Sequence, residues 1–115
     1  MTEKKNSVLK KLVGNNFKTR ELIEYQDNAV VSKTLIDKEA GTITIFAFDK
    51  EQSLSEHTAP FEALAQILDG KCKIKIEDEE IEISEGEALI IPEDRPHSVI
   101  AVERFKMLLT MIKSD

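Results

Sequence analysis

One cysteine, Cys72, is all the sequence offers. No internal disulfide can form, so the fold rests on its core, and a lone thiol fits a reducing compartment. No stretch approaches the roughly 20 apolar residues that a membrane-spanning helix needs. The first residues, MTEKKNSVLKKLV, lack an apolar segment followed by a small-residue cleavage site. A cytoplasmic protein with no membrane partner is the expectation. Basic blocks interleaved with aromatics are missing too, and the net charge is −6. A phosphate backbone is repelled by such a chain, which argues against nucleic acid as a partner.

What is present suits a folded domain. Hydrophobic residues make up 41% and charged residues 33% of the 115, enough apolar surface to offset the entropy of ordering the chain. That length holds one core and leaves no room for a second. We divide it into an N-terminal arm, residues 1–27, that packs on a strand-rich domain, residues 28–115. Within the arm, Asn6 or Ser7 is placed to cap a short helix. Val8, Leu9, Leu12 and Val13 recur there at helical spacing, and Gly14 ends the run.

Beyond Asn28, eight short β-prone runs follow one another: AVVSKTLI, TITIFAF, ALAQIL, KCKIKI, EIEI, ALII, HSVIAV and FKMLLTMI. Turn residues separate them, and no helical pattern supplies the crossovers that a parallel sheet requires. An all-β antiparallel sandwich or barrel is predicted. In KCKIKIEDEEIEIS, a four-residue loop from Glu77 to Glu80 sets Ile76 opposite Ile81 and Lys75 opposite Glu82, with apolar pairs on one face and opposite charges on the other. Cys72 alternates with Ile74 and Ile76, so it reads as a small buried hydrophobe rather than a reactive thiol. TITIFAF and FKMLLTMI are apolar at nearly every position, so both faces of those strands need cover. The arm or a second subunit must provide it, and a homodimer formed by sheet packing or edge pairing is one expectation.

The two histidines, His57 and His97, each begin or precede a strand-like segment. His97 shares a face with Val99 and Ala101, while His57 shares one with Ser55. If the sheet curls into a barrel, the imidazoles meet. GEALIIPEDRPH, Gly86 to His97, has a glycine, five residues, a proline, and a histidine five positions further on. It resembles the second motif of the cupins, and SEHTAPFEALAQILDG, Ser55 to Gly70, resembles their first. The likeness spans roughly residues 28 to 113, and fifteen residues separate Gly70 from Gly86, as in compact microbial cupins.

The resemblance implies a jelly-roll barrel, the double-stranded β-helix, around a central pocket. It also implies a divalent metal, one of zinc, iron, nickel or manganese, on His57, His97 and Glu62. Ser55 stands where the family's first histidine ligand falls. Glu62 lies one residue further from Gly70 than the family glutamate, which gives Ala63 the ligand direction unless a bulge restores Glu62. Asp94 replaces a usual glycine and Ala101 a common asparagine. The candidate ligand pocket comprises His57, His97, Glu62 and Gln66. Its functional reading is small-molecule binding, with or without metal. The alternatives are a metal-dependent isomerase, decarboxylase or dioxygenase, and a sensor module with no DNA-binding segment in this sequence.

Overall fold

Runs that alternate between apolar and polar residues each have one face to bury, and two sheets packed face to face satisfy them together. The computed structural model describes residues 6–113 and contains ten strands. They are β1 (Asn6–Val8), β2 (Val30–Lys38), β3 (Gly41–Phe48), β4 (Ser53–His57), β5 (Phe61–Asp69), β6 (Lys71–Ile76), β7 (Glu79–Ser84), β8 (Ala88–Ile91), β9 (His97–Ala101) and β10 (Phe105–Lys113). One sheet has the order β1-β2-β3-β10-β5-β8 and the other β4-β9-β6-β7. The pairings are antiparallel. This is the antiparallel all-β fold that the eight apolar runs predict, in the jelly-roll form that the cupin resemblance implies, with β1 and β4 added to the eight.

Between the sheets lies the main core. Phe48 and Phe105 stack with ring centroids 4.4 Å apart, and Ile67, Ile74, Cys72 and Met107 close around them. Burial pushes the Cys72 thiol up to about 12, so it stays protonated and inert. A second cluster lies on the outer face of the larger sheet. There Ile45 and Ala47 of β3, with Leu108 of β10, are covered by Leu9, Leu12, Leu22, Ile23 and Tyr25. Over this part of the two largely apolar strands, the second cover is therefore this N-terminal segment.

The segment is not the amphipathic helix that its spacing suggests. Asn6–Val8 pairs with Ile36–Lys38 at the edge of β2, and only single 3-10 turns follow, at Lys10–Leu12 and Thr19–Glu21. Short helices are marginal in water, whereas an open sheet edge offers the same backbone a full ladder. Polar contacts fasten the rest. The Tyr25 hydroxyl donates to Asp69 at 2.6 Å, Arg20 pairs with the same carboxylate at 2.9 Å, and Lys33 donates to the Leu22 carbonyl at 2.8 Å. Burial and the Asp69 carboxylate together raise the Tyr25 phenol.

The β6–β7 hairpin also departs from expectation. Its turn has two residues, Glu77 and Asp78, and Ile76 faces Glu79 while Ile74 faces Ile81. Compared with the predicted register the pairing moves by two, so every side chain keeps its face. Glu77 takes a positive φ of 54°, and the tighter turn adds a rung to the ladder.

Candidate functional site

The geometry of the site begins with a fault in a strand. Leu54 of β4 points into the barrel opposite Val99, and strict alternation would turn His57 outward. Between Leu54 and His57 the register with β9 shifts by one residue, which sets His57 directly opposite His97. A β-bulge therefore aims this side chain. His97 opens β9 immediately after Pro96, which has no N–H to give to a ladder. The preceding turn is held by the Asp94 N–H donating to the Ala59 carbonyl at 2.8 Å. Asp94 itself adopts φ 60°, so the substitution of aspartate for glycine leaves the turn intact.

The two rings lie 4.3 Å apart between centroids, inclined by 60°. His57 Nδ1 is 2.8 Å from the Ser55 carbonyl oxygen, and His97 Nδ1 is 3.0 Å from that of Arg95. A carbonyl only accepts, so in each ring Nδ1 carries a proton and donates it, which in the neutral imidazole leaves Nε2 with a free lone pair. His57 is exposed and His97 half-buried, which puts the pair at the barrel mouth. Beneath them is a small apolar cavity of about 50 Å³, walled by Leu54, Phe61, Ala63, Val99, Met107 and Met111 among others.

Two of the four predicted pocket residues are elsewhere. From Phe61 to Ile67, β5 pairs with β10 without interruption, so alternation holds and no bulge restores Glu62. Ala63 takes the inward position and is buried, while Glu62 is exposed on the outer face. Gln66 shares that outer face, between Leu108 and Ala88. The metal set implied by the family motif is thereby reduced to two imidazoles. Among the described residues, no three His, Cys, Asp or Glu side chains gather closely enough to hold an ion. A resident metal ordinarily has at least three protein ligands, and this donor set does not fit one. Ser55, at the family's first ligand position, contributes its carbonyl to His57 instead.

One polar residue escaped the sequence reading. Thr42, opposite the cavity-lining Met111, has a buried hydroxyl with no hydrogen-bond partner. Two threonines, Thr42 and Thr44, interrupt the apolar run of β3, and Thr44 has a partner in Thr34.

Two antiparallel sheets closed around a pocket with paired imidazoles at its mouth define a cupin-type barrel. Residues 39–112 match the family described as the AraC-like ligand-binding domain, and the chain belongs to that family. Solved structures agree. A conserved Streptococcus pyogenes protein of unknown function superposes with a TM-score of 0.85 at 30% identity, over 89% of this chain and 90% of that one. A cupin superfamily protein from Desulfitobacterium hafniense gives 0.78 at 29% identity, over 80% and 84%. A cupin 2 conserved barrel domain protein from Leptotrichia buccalis gives 0.81 at 38% identity over 84% of this chain, which spans 47% of that larger one. Comparison with curated proteins returned no match.

Proposed function

We propose that the protein binds a small molecule at the barrel mouth, through the Nε2 atoms of His57 and His97. The observation that carries this reading is the shared fixing of both rings. Each Nδ1 is committed to a backbone carbonyl two residues earlier, so two acceptors stand side by side above an apolar recess. With a volume of about 50 Å³, the recess accommodates a methyl or ethyl group. The ligand thus has a polar head with hydrogen-bond donors and a short apolar tip. Precise polar groups at the rim of an apolar pocket are the usual means of orienting such ligands. The metal-dependent enzyme remains the alternative chemistry for this fold, but a two-imidazole donor set gives it no specific support.

The test is a nuclear magnetic resonance titration with propionate, propionamide and n-propanol, reading the ring signals of both histidines. At least one probe is expected to shift both rings together, and His57→Ala or His97→Ala to abolish the response while the barrel stays folded. Rings that ignore all three probes, or respond singly, contradict the proposal. We further propose a cytoplasmic homodimer. The outer face of the larger sheet, beyond the reach of the arm, exposes Leu64, Ile90 and Ile112, and Leu64 and Ile90 are direct cross-strand partners.

A further inference from the structure

The roomier apolar cavity is not the central one. Between the N-terminal arm and the outer sheet face lies a cleft of about 300 Å³. Leu9, Leu12 and Val13 wall it on the arm side, and Leu35, Ile43 and Leu108 on the sheet side. Voids larger than a water are few in packed interiors, and this one falls in the size range of small-molecule sites.

Phe17 and Thr19 also border a neighbouring polar depression, lined besides by Lys18, Arg20, Glu21 and Lys106. Arg20 is engaged by Asp69 and Glu85, and Lys106 donates to the Arg20 carbonyl. The side chain of Lys18 is exposed and has no hydrogen bond or ion pair among the described residues. Against the one carboxylate in the lining, Glu21, stand Lys18 and Lys106 as cations with no carboxylate partner among the described residues. In a chain of net charge −6, such a pair beside an apolar cleft is complementary to an amphipathic anion. We propose that this cleft is a second binding site, for a free medium-chain fatty carboxylate. Its tail fills the space under the arm, and its carboxylate meets Lys18 and Lys106.

A titration of the full chain with butyrate, hexanoate, octanoate and decanoate, followed by backbone amide resonances, tests this. Affinity is expected to rise about fourfold per added methylene, the ratio that corresponds to about 0.8 kcal/mol of burial. The signals that move should be those of Leu9 to Thr19, Ile43 and Leu108, not those of His57 and His97. Lys18→Glu should weaken decanoate several-fold without changing thermal stability, since exposed charge interactions are small. Three results each overturn the proposal: affinity independent of chain length, decyltrimethylammonium binding as well as decanoate, or the same amides moving with protein concentration alone. The last would assign the cleft to a second copy of the chain.

Discussion

At the scale of single residues, the joint between arm and barrel depends on charge. Arg104 donates to Asp49 at 2.7 Å and to Asp27 at 2.9 Å, and its guanidinium also lies over the Tyr25 ring. The Arg104 contact, followed by N–H donors from Asn28 and Lys50, holds the Asp49 carboxyl down to about 2, from an ordinary 3.8. A depressed carboxylate contributes stability that is complete above the unfolded value and lost as pH falls through the folded one. Asp49→Asn should therefore unfold at lower urea than wild type at pH 7 and equally so at pH 5. The gap should narrow between about pH 4 and pH 2. A gap independent of pH would mean that Asp49 acts through shape alone.

The same scale explains what was legible in the candidate site. His57 and His97 stand out because they are the only imidazoles in the chain and both flank strand-like segments. Which way each side chain points was less accessible. His57 turns inward on a bulge in β4, a strand with Leu54 as its lone aliphatic residue, so no apolar run announced it. Glu62 and Gln66 turn outward because β5 has no such bulge at that end. A one-residue phase change leaves little trace in composition, yet it decides which groups form the site.

At the scale of elements, the strands were readable and their ends were not. Each of the eight apolar runs lies on a strand, since period-two alternation and β-branched residues are local signals. The N-terminal segment misled because Val8, Leu9 and Leu12 satisfy helical spacing and also serve a strand followed by a 3-10 turn. Pairing with β2 decides between them. Turns carry their own constraints. Gly70 and Gly86 both have positive φ, but a Cβ at Gly70 would collide with the Arg104 carbonyl oxygen, whereas one at Gly86 would meet open space. Gly86→Ala should cost about 1–2 kcal/mol from backbone strain alone. Gly70→Ala should cost clearly more, because the backbone leading into β10 has to move. Calorimetric melting of the two variants checks the order; equal losses would refute the steric argument.

For the whole molecule, the outer face of the larger sheet is divided. The arm covers the part around Ile45 and Ala47, and the part carrying Leu64, Ile90 and Ile112 is bare, with Ile90 66% exposed. Exposed apolar groups clustered on one sheet face mark an association surface. Sedimentation at micromolar concentration is expected to give a dimer, and Ile90→Glu a folded monomer. A monomeric wild type would show the face to be merely solvated.

The central claim is that both imidazoles present Nε2, unprotonated, to the barrel mouth. Long-range proton–nitrogen correlation spectra of the ¹⁵N-labelled protein, recorded with the rings neutral, read this directly. The account predicts the Nδ1–H tautomer at both His57 and His97. A dominant Nε2–H tautomer at either ring would contradict it, since the carbonyls of Ser55 and Arg95 would then hold no ring in place.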